Sequence, residues 1–196
     1  DSFIDIESYI ADLLATRLGR ITATHYATGT GTGQPHGIVT GAASGAVGAA
    51  GSTTTVVYDK LVDLVHSVDP AYRSAPGVGF MMHDMSVAKI RQIKDSNGRP
   101  IFVPGYEQGN PGGAPDRLLG LPVYICQEMA QMAANAKSIL FGDWSSLVVR
   151  IAGGFRFERS DEFAFDADMA TFRALTRHGT VSVDANAIKS FVHGAS

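Results

Sequence analysis

Asp116–Glu128, DRLLGLPVYICQE, read with the AKSILFGDWSSLVVRIAGGFRFERSDE that begins at Ala136, is the stretch that decides the fold. Both segments alternate short runs of β-branched, aromatic and aliphatic residues with glycines, the pattern of buried strands closed by turns. Strands are expected at about Val123 to Cys126, Ser138 to Phe141, Leu147 to Ile151 and Phe155 to Glu158. A final pair, Ala170 to Arg177 and Thr180 to Val183, reads as a hairpin joined by His178-Gly179. Nothing in this region is arranged as a nucleophile, a metal cluster or a phosphate loop.

Working outward, the first half of the chain is helical in pattern. Phe3, Ile6, Ile10, Leu13, Leu14, Leu18 and Ile21 recur mostly at intervals of three and four, predicting a long helix with one apolar face. Ser2 suits its N-cap, Asp5 and Glu7 its first turns, and Arg17 and Arg20 its end. Tyr58, Leu61, Leu64, Val65 and Val68 predict a second helix, stopped by Asp69-Pro70. A strand at Val78 to Met82, a helix near Met85 to Lys94 and a turn at Asp95-Ser96-Asn97-Gly98 follow. Between Thr28 and Thr55 the residues are mostly small, TGTGTGQPHG and then GAASGAVGAAGSTTT, and read as a flexible surface loop. Pro104 to Pro115, rich in Gly and Pro, reads as a second loop. Helices dominate the first half and strands the second, so the expected class is α+β without βαβ alternation.

Composition sets bounds. The 196 residues suit one domain, or one domain with a lobe, and can bury a core without disulfides. With 45% hydrophobic and 18% charged residues the chain is globular and poor in charge, which hints at surface covered by partners. The net charge of −3 argues against a dedicated nucleic-acid binder, though not against a shell around nucleic acid. Cys126, the single cysteine, excludes an intrachain disulfide and is compatible with a reducing compartment. No apolar run is long enough for a membrane span. The start at Asp1 rather than Met leads us to expect a processed or truncated product.

The candidate chemistries fail one by one. Gly29-Thr30-Gly31-Thr32-Gly33 has the glycines of a phosphate loop but continues with Gln34 and Pro35 where a Lys-Ser/Thr pair would be needed. It also follows a helix, where a dinucleotide fingerprint follows a strand. His25, His36, His66, His83, His178 and His193 include no HExxH or i, i+4 pair, and there is no second cysteine for zinc. Cys126, within VYIC, reads as a small hydrophobe. Asp161, Glu162, Asp166 and Asp168 could serve acid–base or cation chemistry, but without a calcium-loop pattern they read as a solvated connection. Ser160 lacks the GxSxG elbow. No catalytic, cofactor-binding or metal-ligating residue is assigned, and no cofactor is expected.

Taken in order, the segments resemble a known family. DSFIDIESYIADLLATRLGR, TGTGTGQPHGI, KIRQIKDSNGRPIF, LLGLPV, ILFGDW, GGFRFERSDE and ATFRALTRHGTVSVDANAI are similar to the major capsid proteins of tailed bacteriophages, with the Hong Kong ninety-seven-type capsid fold. The match leaves out only Gly41 to Thr53. The resemblance implies a long spine helix, a peripheral β-sheet and a mixed α/β axial domain. On this reading 1–27 is the spine helix of the peripheral domain, 28–150 mainly the axial domain, and 151–196 C-terminal strands returning to the peripheral domain. The family's N-terminal arm and extended loop have no counterpart here. Nor does the segment from Ser160 to Asp168 contain the asparagine that some members cross-link to lysine.

The resemblance further implies a structural subunit of a phage or prophage capsid, self-assembling into hexamers and pentamers around double-stranded DNA held without sequence-specific contacts. Other implied partners are a scaffolding segment or maturation protease and a portal protein. The implied location is the virion, with assembly in the bacterial cytoplasm and no membrane. The Pro104 to Pro115 loop would point to the ring axis. Two alternatives stand beside it: an encapsulin-like bacterial compartment shell, and a nucleotide-binding or hydrolytic enzyme.

Overall fold

The computed structural model describes residues 6–94, 98, 102 and 117–196. The turn at 95–98 (Gly98 apart), the loop at 104–115, and the expected cap at Ser2 with Asp5 lie outside these residues. The described chain is α+β, as its sequence predicts. Its helices are α1 (Ile6–Thr28), α2 (Ile38–Gly41), α3 (Tyr58–His66), α4 (Pro70–Arg73) and α5 (Asp84–Arg91). Its strands are β1 (Ala43–Val47), β2 (Val78–Met82), β3 (Arg117–Leu118), β4 (Leu121–Ile125), β5 (Lys137–Asp143), β6 (Leu147–Ala164), β7 (Met169–Ser182) and β8 (Ile188–Val192).

These strands form two separate sheets. One has six strands in the order β1-β8-β5-β2-β4-β3, mixed in direction; the other is a two-stranded antiparallel ribbon of β6 and β7. The centre of the larger sheet is apolar on both faces. β2 reads VGFMM and β5 KSILFGD, and nearly every residue of both is buried. Such runs without alternation belong to strands covered on both sides. Phe80 and Phe141, paired across β2 and β5, place their rings 4.8 Å apart. Leu61 and Leu64 of α3 and Val87 and Ile90 of α5 complete this core with Phe191 of β8. The opposite face is covered by a smaller cluster of Ile38, Ala42, Met129, Leu140, Ala187 and Ile188.

Local signals start the helices. Asp69 caps α4 by accepting from the Ala71 N–H at 2.8 Å, with Pro70 in the first turn. Asp69-Pro70 therefore opens a new helix as well as ending the last one. His83 caps α5, its Nδ1 accepting from the Met85 N–H at 3.0 Å.

Three expectations need correction. First, the glycine-rich segment is not a surface loop throughout, because Ala43–Val47 is a strand parallel to β8. Its small residues are there for close approach. A Cβ on Gly45 would stand 2.3 Å from Ser67 Oγ and 2.7 Å from Lys189 Cβ. Second, Leu147 to Ile151 and Phe155 to Glu158 are parts of one strand of 18 residues. The pairing shifts register between Ala152 and Arg156, where Gly153 and Gly154 take φ of +77° and +64°. Third, His178-Gly179 is not a turn. β7 runs straight through it, Gly179 opposite Arg150 and His178 opposite Ile151. The reversal lies instead at Phe165–Ala167, closed by Asp168 at φ +52°. Aspartate tolerates that left-handed conformation better than most residues. Tertiary pairing overrides the local turn preference of His-Gly.

Candidate assembly surfaces

The residues weighed for chemistry are dispersed. Gly29 to Gly33 forms a tight excursion after α1, closed by a bridge between Thr30 and His36, with the Gln34 amide donating to Thr30 Oγ1 at 2.9 Å. Gly29 and Gly37 are needed for contact: a Cβ on Gly37 would fall 2.4 Å from the Gly29 nitrogen. His66 meets Arg73 at 3.3 Å, and His83 serves as a helix cap. His193 is buried and shares a 2.7 Å hydrogen bond with Ser138. Burial pushes its pKa below the usual histidine value, despite an opposing pull from the Ser52 backbone. Ser160 Oγ accepts from the Phe163 N–H at 3.3 Å. Cys126 is half-buried against the smaller core cluster. Among the described residues no group of His, Cys, Asp and Glu is arranged to hold a metal ion.

What the fold does bring together is α1 and the ribbon. Residues directly opposite in an antiparallel pair share a face. One face of the ribbon carries Phe157, Phe172, Thr176, His178 and Thr180, and α1 packs there. Tyr26 meets the His178 ring edge-on at 5.3 Å, and Thr180 Oγ1 donates to the His36 carbonyl at 2.6 Å. Glu7 pairs with Arg159 at the other end of the helix. Ala15, Leu18, Gly19 and Ala23 face Phe155 and Thr176 across an open cleft of about 390 Å³. His25, His36 and His178 come together at a second cleft, and the buried Nδ1 atoms of His25 and His178 have no hydrogen-bond partner among the described residues. The sequence spacing gave no sign of that convergence, since His178 lies on a strand remote in the chain.

Much of this arm is apolar and uncovered. The helix pattern predicts one buried face for α1, yet only Ala27 is buried. Ile10, Leu14 and Leu18 turn half-buried, while Ile6, Tyr9, Leu13 and Ile21 are exposed. At 100° per residue the exposed four fall within one stripe about 120° wide. Along the ribbon Val148, Val149, Ile151, Phe155, Met169 and Val181 are also exposed, and at its tip Phe163 and Phe165 are 82% and 83% accessible. Val149 and Ile151 lie on the face towards α1 and Val148 and Val181 on the other. The arm thus exposes apolar side chains on both faces, more than single scattered residues would, which marks interaction surface. Each such side chain, once covered, contributes about 1.5–3 kcal/mol.

Comparison with known proteins fits this picture. A profile described as the phage capsid family matches residues 1–192. Among solved structures, the capsid of a native GTA particle computed with C5 symmetry superposes with a TM-score of 0.84 at 29% identity. That alignment covers 100% of this chain and 68% of the other. The capsid of the empty GTA particle gives 0.80 at 28% identity, over the same shares of the two chains. The holo-SrpI encapsulin complex from Synechococcus elongatus shares the fold at a TM-score of 0.65 and 13% identity, over 96% of this chain and 65% of its own. No curated protein matches the chain.

Proposed function

The chain belongs to the phage capsid family, and from that premise we propose that it is a structural subunit that closes into hexamers and pentamers around double-stranded DNA. The observation that carries the reading is the uncovered apolar stripe of α1 together with the exposed apolar side chains of the ribbon beside it. A monomer gains nothing from such a surface, whereas a shell subunit must bury it against neighbours. Packaged DNA is held by enclosure, without sequence-specific contacts. The ring contacts are of the head-to-tail kind, which close when the rotation between copies divides a circle.

In the same proposal α1 and the ribbon form the peripheral lobe. The six-stranded sheet with α3 and α5 forms the axial lobe, to which β8 also contributes. Residues 104–115 contribute to ring formation, the role the family resemblance implies for them. Assembly takes place in the bacterial cytoplasm, with a protease or scaffolding segment and a portal as further partners. The compartment-shell alternative shares the fold, but the 29% identity to the GTA capsid favours the phage reading over the 13% to the encapsulin.

The test is electron microscopy of the purified product of the complete gene, expressed with and without a co-expressed protease. Rings or closed particles of uniform size support the proposal. A folded product that stays monomeric at all concentrations overturns it. Deleting Glu107 to Gly113 should abolish rings while leaving the melting temperature unchanged, and normal rings would refute the ring-forming role of that loop.

A further inference from the structure

The ribbon is divided by charge along its length. On the face turned away from α1, Arg150 lies opposite Gly179, Arg177 opposite Ala152, Arg156 opposite Leu175 and Arg173 opposite Glu158. Glu158 bonds Arg173 and approaches Arg156 at 3.8 Å, while Arg150 and Arg177 have no ion pair among the described residues. Arg156 and Arg177 both line an open cleft of about 400 Å³, together with Ala152, Leu175, Thr176 and the Gly153-Gly154 bulge. At the far end the sign reverses. Asp161, Glu162, Asp166 and Asp168 surround Phe163 and Phe165, and all six are exposed. Among the described residues only Asp161 has a cationic partner there, Arg159 at 2.8 Å.

We propose that the acidic, aromatic tip of the ribbon in one copy docks into the basic cleft of the ribbon stem in a second copy, an inference that rests on the capsid reading above. Shape and chemistry agree at both ends. The cleft offers an apolar lining for one ring, Phe163 or Phe165, beside two guanidiniums that meet the flanking carboxylates. Arginine also stacks on aromatic faces, so both parts of the tip have a partner. Nucleic acid is the other candidate for a basic face, but phosphates need no apolar lining. Exposed phenylalanines beside carboxylates, moreover, are a ligand the chain itself supplies. The contact cannot form within one copy: eight strand steps separate Arg156 from Ala164, roughly 25 Å at 3.3 Å per residue. Tip and stem being different patches, the contact is head-to-tail and propagates from copy to copy.

Charge reversal tests this. A stem variant, R156E/R177E, and a tip variant, E162K/D166K, are compared with the wild-type chain by sedimentation velocity and electron microscopy. Circular dichroism and melting temperature check that each is folded. The expected result is that each variant alone needs at least tenfold more protein to assemble. An equimolar mixture should assemble at a lower concentration than either variant alone, since tips of one variant then find stems of opposite sign on the other. Assembly of both variants at the wild-type concentration overturns the tip contact and leaves the capsid reading standing. So does a mixture no better than its parts. If the stem variant assembles normally but loses wild-type retention of duplex DNA, the face is a nucleic-acid surface and the proposal falls.

Should the wild type form no particles, a disulfide trap decides. Phe165→Cys and Leu175→Cys are placed on separate copies, each with Cys126→Ser. A cross-linked pair keeps the tip contact and refutes only the closed shell, whereas no cross-link refutes the contact as well.

Discussion

At the residue scale, the sheet depends on positions where a side chain has no room. Gly142 lies near the end of β5, and a Cβ there would meet the Ala187 carbonyl oxygen at 2.2 Å and the Ile188 Cα at 2.6 Å. Both are backbone atoms of the neighbouring segment and cannot rotate away. Gly142→Ala should therefore cost about 1–3 kcal/mol, the range for overpacking a core, read as a lower urea midpoint at unchanged slope. His193 makes a different point. Its pKa is depressed by burial, so the unfolded chain binds a proton that the folded chain refuses. Its stabilising contribution is present above the ordinary value of 6.5 and is lost as pH falls from there towards the folded value. The double variant H193F/S138A should show a shallower loss of melting temperature than wild type between pH 6.5 and 5. Parallel curves would show that His193 does not report on pH.

At the scale of elements, the signals that survived from sequence to structure were those written over several residues. The apolar runs of β2, β4 and β5 and the periodicity of α1, α3 and α5 were all legible. Failures came where a neighbour decided. β1 looked like low complexity because it packs its backbone against α3 and β8. His178-Gly179 looked like a turn because nothing local reveals that Gly179 faces Arg150 across the ribbon. β8 was missed although IKSFV is apolar enough, since it is short and follows an Asp-Ala-Asn turn. One long-range tie binds two of these elements. Lys137 at the start of β5 donates to the carbonyls of Val39 at 3.2 Å and Ala42 at 2.8 Å, which brackets the end of α2 and the entry to β1. Lys137→Met removes both bonds while keeping much of the side chain's volume. It should cost about 2 kcal/mol, the scale of hydrogen bonds from a charged group, in chemical denaturation.

At the scale of the whole molecule, the assembly surface was the part least visible beforehand. The helical pattern marked the apolar residues of α1 but assigned them to the chain's own core, because periodicity cannot say which partner covers a face. Only the structure shows that Ile10, Leu14 and Leu18 are half-buried, Leu18 beside the ribbon, while Leu13 and Ile21 stay outside. Replacing both exposed residues, L13D/I21D, should leave the melting temperature within a few degrees of wild type. Ring formation should be suppressed at least tenfold in sedimentation. A large loss of thermal stability would instead mean that the stripe belongs to the subunit's own core.

The order of strands in the larger sheet has a consequence in time. β8 comes after every other strand in the chain, yet it lies between β1 and β5, so it alone joins β1 to the remaining strands. During synthesis β1 emerges early and has no partner until residues 188–192 leave the ribosome. Domains generally fold as units while they are being made, and unpaired strand edges invite aggregation. A nascent chain therefore waits with an open seam beside β1 until β8 emerges and closes it. A copy without β8 would leave β1 with no partner in the sheet.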